Sequence, residues 1–110
     1  MTMAKPKPDT KNWEAWIDTM PGGPGHMTVI GDVDVGNIAA SAHLKEHLPP
    51  GINPKILMLD LTVTLDGEGY PKKIYKQARF DKPASKGQYT SVDILWEGNR
   101  IADVEVKEVS

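Results

Sequence analysis

Residues 55–65 alternate more strictly than any other stretch of the chain. Leu57, Leu59, Leu61, Val63 and Leu65 fall on every second position, with Met58, Asp60, Thr62 and Thr64 between them. Successive side chains of a strand point to opposite faces, so this pattern predicts a strand with one apolar and one mostly polar face. Four further segments read the same way. Residues 27–35 place Val29, Val33 and Val35 inward, with Gly31 among them as a bulge or bend, and Ile30, Asp32 and Asp34 outward. Residues 73–81 place Ile74, Ala78 and Phe80 inward, with Lys76 in the same register and Tyr75, Gln77 and Arg79 opposite. Residues 88–96 place Val92, Ile94 and Trp96 inward, and residues 101–109 Ala102, Val104 and Val106.

Two segments read as short helices. Over 12–20, Asn12 is a capping residue, and Trp13, Trp16, Ile17 and Met20 recur at helical spacing. Over 38–48, Asn37 is the cap, Ala40, Leu44 and Leu48 form the stripe, and Pro49-Pro50-Gly51 is the stop. Residues 21–26, with three glycines and two prolines, are a loop. Lysine and proline alternate in residues 1–11, which reads as a flexible arm preceding a single domain over 12–110.

Requiring apolar faces to meet suggests a meander of neighbouring antiparallel strands. In it Leu61 opposes Ala78, Leu59 opposes Phe80, Ala78 opposes Val92, and Ile94 opposes Val104. A three-residue loop with a bulge, Gly98-Asn99-Arg100, keeps Asp103 and Glu105 off the core face. The expected fold is all-β and mainly antiparallel. It is a β sandwich or small open barrel built on a C-terminal four-strand meander, with one or two short helices.

Composition narrows the function classes. The chain has 110 residues and no cysteine, which excludes a disulfide framework and thiolate metal sites. Thirteen basic and 15 acidic residues give a net charge of -2, a balance unlike that of a dedicated nucleic-acid binder. No apolar run has the length of a membrane span, about 20 residues, and residues 1–11 lack the apolar core of a secretion signal. A cytoplasmic protein with no nucleic-acid or membrane partner and no cofactor is expected.

The meander registers gather Asp60, Tyr75, Arg79, Tyr89, Asp93 and Glu105 on the outer sheet face as a candidate ligand site, with Asp60 opposite Arg79 and Asp93 opposite Glu105. Residues 43–47, His-Leu-Lys-Glu-His, match the H-x-x-E-H string of zinc enzymes, and on a helix His43 and His47 share a face. No third ligand is specified, so no metal is expected there. Residues 32–37 begin like a calcium loop but lack its later ligands. With no complete catalytic set, the expected function is non-catalytic binding. The partner would be an unknown protein or small molecule, held by the outer face or the loops flanking it, with a homodimer through an edge strand as one form. The alternatives are a small metal-dependent enzyme using His43 and His47, or an apolar-ligand carrier whose barrel cavity Trp13, Trp16 and Phe80 would line.

Overall fold

The computed structural model describes residues 6–21 and 23–109. Seven strands follow one another: β1 (Thr10–Asp18), β2 (His26–Asp34), β3 (Ala40–Glu46), β4 (Ile56–Leu65), β5 (Tyr75–Pro83), β6 (Ser91–Trp96) and β7 (Asn99–Val109). They form one sheet in the order β3-β4-β6-β7-β1-β2-β5, curled until its two end strands lie side by side. The result is a nearly closed barrel. Four of its ladders are antiparallel, and two, β1 with β7 and β4 with β6, are parallel. Of the expected arm, residues 1–5 lie outside the described residues. The Asp9 carbonyl accepts the Asp34 N–H at 2.9 Å, and Thr10 and Lys11 already pair with β2.

The core is the inner wall. Ile17, Met27, Val29, Val33, Leu59, Val92 and Ile94 are its largest fully buried side chains. The inward sets expected for β2, β4, β6 and β7 occur as read, except that β4 overshoots the core: Leu57, Leu59 and Leu61 are buried, Val63 is half-buried and Leu65 is exposed.

Neither helix exists among the described residues. The segment expected as the first is β1, with Ala15 and Ile17 buried and Glu14, Trp16 and Asp18 on the other face. A strand so placed is bonded on both sides, to β2 and to β7, which outweighs a weak helical preference. Asn12 is not a cap. It takes a positive φ of 58° where the β1–β2 register shifts, and the shift leaves Trp13 over the inner wall. The second expected helix is β3, whose inner positions Ala40, Ala42 and Leu44 alternate with Ser41, His43 and Lys45. Alanine carries so little hydrophobic contrast that the period of 2 is faint there.

The four-strand meander is also corrected. β4 pairs with β3 and, in parallel, with β6, while β5 pairs with β2, so that Ala78 opposes Gly31 and Phe80 opposes Val29. Periodicity fixes which way a side chain points, not which strand lies beside it. The connections 66–74 and 84–90 exceed the roughly two to five residues of a hairpin loop and serve as crossovers.

At the β6–β7 hairpin Trp96 pairs with Asn99 across the two-residue turn Glu97-Gly98. Both turn residues have positive φ, 51° and 81°, as a type I′ turn requires. The bulge sits in the ladder instead of the loop, where pairing slips between Ile94 and Leu95. That slip restores the inward parity of Ala102 and Val104 and keeps Asp103 and Glu105 exposed. Glu97→Gly is therefore expected to raise the urea unfolding free energy by about 1 kcal/mol, the order of the left-handed penalty of a side chain. Arg100→Gly, in a paired position, should lower it by roughly 0.5–1 kcal/mol. The opposite ranking of the two urea midpoints would move the turn back to Gly98-Asn99-Arg100.

Candidate functional site

The six outer-face candidates do not form one site. β5 is separated from β6 by β7, β1 and β2, and from β4 by β3, so Arg79 faces neither Asp60 nor Asp93. Each has local partners instead. Asp60 on β4 accepts from His47 Nδ1 at 3.0 and 3.1 Å. Tyr75 opens β5, with Lys11 Nζ 4.1 Å from its ring centroid. Arg79 Nε donates to Asp81 at 2.8 Å. Tyr89, just before β6, accepts through its hydroxyl oxygen from Lys82 Nζ at 2.9 Å. Glu105 on β7 opposes Ser91, and Asp93 on β6 opposes Asp103.

Two of these neighbourhoods shift carboxyl groups in opposite directions. The Arg79 guanidinium, helped by His26 and Thr28, holds Asp81 far below the usual carboxylate range. That pairing stabilises the fold above the ordinary aspartate pKa and is lost as the pH falls beneath it. Asp93 is raised, first by burial and then by the facing Asp103, against the weaker pull of Arg100. Its side chain is 14% exposed, and Arg100 Nη1 stands 3.8 Å from an oxygen with no hydrogen-bond partner. A raised carboxyl binds its proton more tightly folded than unfolded, so the ionised form costs stability at neutral pH and the cost fades on acidification. Asp93→Asn is thus expected to raise the urea midpoint at pH 7, with an advantage that shrinks as the pH falls through the folded pKa of Asp93. A midpoint that drops at pH 7 would show that the Arg100 contact outweighs burial.

Of the two histidines of the H-x-x-E-H string, His43 lies on β3 and His47 directly follows its last residue, Glu46, with no helix between them. Four residues of extended chain separate them by about 13 Å, too far to share an ion. Among the described residues no three His, Asp or Glu side chains converge on a metal-sized site. His43 joins a different cluster. Its Nε2 lies 3.0 Å from both Ser41 Oγ and Thr64 Oγ1. Thr64 donates to Asp66 at 2.8 Å, and Ser41 also donates to Asp66. These two bonds, Ser41 first, hold the Asp66 carboxyl below its ordinary range. Each hydroxyl spends its one hydrogen on the carboxylate, so His43 Nε2 carries the hydrogen it shares with them. In this arrangement His43 is a donor to Ser41, and a base for a serine nucleophile needs the reverse.

The barrel interior is filled by side chains. Trp13 lies over Gly31 on the inner wall, whereas Trp16, opposite Thr28, is on the outer face, so the two indoles do not line a common cavity. The concavities are at the rims. A cleft of about 470 Å³ lies where residues 6–9 pass Val35, Val63 and Trp96. One of about 360 Å³ lies between Lys45, Asp60, Thr62 and Gly98. A third, of about 500 Å³, lies under the β3–β4 connection. Its floor is Ile56, Leu57, Met58 and Tyr89, and Glu46, His47, Asn53, Lys55 and Gln88 supply polar groups. Gly51 lets the connection come down on the Met58 thioether, where a Cβ would stand 2.7 Å from the sulfur. Above it Leu48 and Ile52 are exposed on a segment with three prolines. The proline density of 48–54 was the available sequence signal for this cleft, and it reads only as irregular chain.

Fold and clefts together define a small all-β domain, barrel-like and with a filled core. No family model, no curated protein and no solved structure matches the chain. No helix among the described residues is long and apolar enough to cross a membrane.

Proposed function

We propose that the protein is a non-catalytic binding domain that takes a small molecule or a short protein segment in the cleft under the β3–β4 connection. The observation that carries this reading is the lining of that cleft. About 500 Å³ lies within the usual range of ligand pockets, and an apolar floor meets a few polar groups that can orient a ligand. The exposed Leu48 and Ile52 extend the apolar surface outward on a connection that its prolines stiffen, which lowers the entropy lost on binding. Tyr89 favours a ligand with an acceptor, because its oxygen already accepts from Lys82 and its own hydrogen remains to be donated.

The test is an NMR screen of a fragment library against the 15N-labelled protein. Hits should move the amides of Glu46, His47, Met58, Gln88 and Tyr89 most, and Met58→Asp should abolish them while Arg79→Ala leaves them intact. Hits that map to the cleft beside residues 6–9, or a screen with none, would reject the reading.

A further inference from the structure

The end strands β3 and β5 lie against each other, yet among the described residues no backbone ladder joins them. Side chains bridge them instead. On β5, Lys76, Ala78, Phe80 and Lys82 share the inward register. At one end of the seam Lys76 Nζ donates to the Ile38 carbonyl at 2.8 Å and to the Ala40 carbonyl at 2.6 Å. At the other end Lys82 Nζ donates to Glu46 Oε1 at 3.1 Å and to the Tyr89 hydroxyl at 2.9 Å. Between these two points the inner positions at the seam are all apolar, Ala42 and Leu44 on β3 and Ala78 and Phe80 on β5.

We infer that the β3–β5 seam is a gate in the barrel wall, bolted by Lys76 and Lys82, that parts without global unfolding and presents its inner side chains to an apolar molecule. Every other neighbouring pair of strands is held by a ladder of backbone bonds, which must break together. Here a few long, rotatable side chains do that work. The bolts are charge-assisted contacts, stronger than neutral ones but few, so parting the seam is a local event of lower cost than unfolding. The inner side chains uncovered between the bolts are apolar, and this sets the class of molecule admitted. The lysines also mask the open edges from strands of other molecules while the gate is shut.

The chain has no cysteine, so one introduced thiol reports the opening cleanly. Ala42→Cys places it on the inner side of β3, and Ala15→Cys, on β1, is the control in the laddered wall. Labelling is followed with N-phenylmaleimide, which is apolar, and with a sulfonated maleimide. Replacing Lys76 and Lys82 with methionine should speed N-phenylmaleimide labelling at position 42 by roughly tenfold or more, the scale expected when charge-assisted contacts are lost. Labelling at position 15 should not change, and the sulfonated reagent should gain less at position 42. Unchanged labelling at 42, a parallel rise at 15, or equal gains for both reagents would each overturn the gate. If the lysine variants do not fold, labelling with the lysines kept decides. Thiol exchange at position 42 in the Ala42→Cys protein with both lysines kept should be followed against urea: a local opening shows a much weaker urea dependence than global unfolding, and an equal dependence would reject the gate.

Discussion

Trp96→Ala is expected to cost about 3–5 kcal/mol, the range for deleting a packed aromatic side chain. Trp96 closes β6 at 9% exposure and belongs to the continuous core. It also stands between two rim clefts, one beside residues 6–9 and the other beside Thr62 and Gly98. Removing the indole therefore leaves a void that two openings can flood, and the floor of each cleft goes with it. In urea the midpoint should fall with an unchanged slope, because the surface exposed on unfolding stays nearly the same. The melting temperature should fall by about 10 °C or more for a domain of this size. A variant that melts within a few degrees of the parent would mean that the indole contributes little packing, and the cleft beside residues 6–9 would then need another floor.

Gly31→Ala is expected to cost about 1–3 kcal/mol, and the reason is a neighbour, not the backbone. Gly31 is a regular strand residue, paired with Ala78, with no register slip on its own strand. A Cβ built there would penetrate the six-membered ring of Trp13. That ring cannot easily retreat, because the irregularity at Asn12 sets its approach and its Nε1 donates to Thr10 Oγ1 at 2.9 Å. The expected result is a double-mutant cycle with coupling of roughly 1–3 kcal/mol. In a Trp13→Ala background the alanine at 31 should be neutral or mildly stabilising, since Gly in a strand interior costs entropy. Independent, additive losses would show that the ring does not rest on Gly31.

The alternation of residues 55–65 was sufficient to identify β4 and its inner face, because a strand with one buried side repeats every second residue whatever lies beside it. The inward sets of β2, β6 and β7 followed from the same rule, and so did the placement of Lys76 on the inner side of β5. The sequence also required a bulge near the last hairpin, since without it Asp103 and Glu105 would be buried. Placing that bulge in the ladder needed the backbone, because Glu97 accepts a left-handed conformation that its residue type does not advertise.

The identity of β1 and β3, and every neighbour relation except β6 with β7, were decided by tertiary structure. Tryptophans at 13 and 16 have helical spacing, but β1 gains a ladder on each side only as a strand, and its partners β2 and β7 lie at opposite ends of the chain. A parallel pair such as β4 with β6 leaves no local mark, because the crossover that joins them can run anywhere. The expected outer-face site was lost for that reason: Tyr89 packs against the core beside Lys82, and of the other five, which had the right orientations, four were assigned neighbours that the barrel does not provide. The same long-range choice brought Lys76 and Lys82 to β3, 36 to 38 residues away in sequence. Periodicity is local and pairing is not, so the chain specified its faces, and closure of the sheet decided which residues meet.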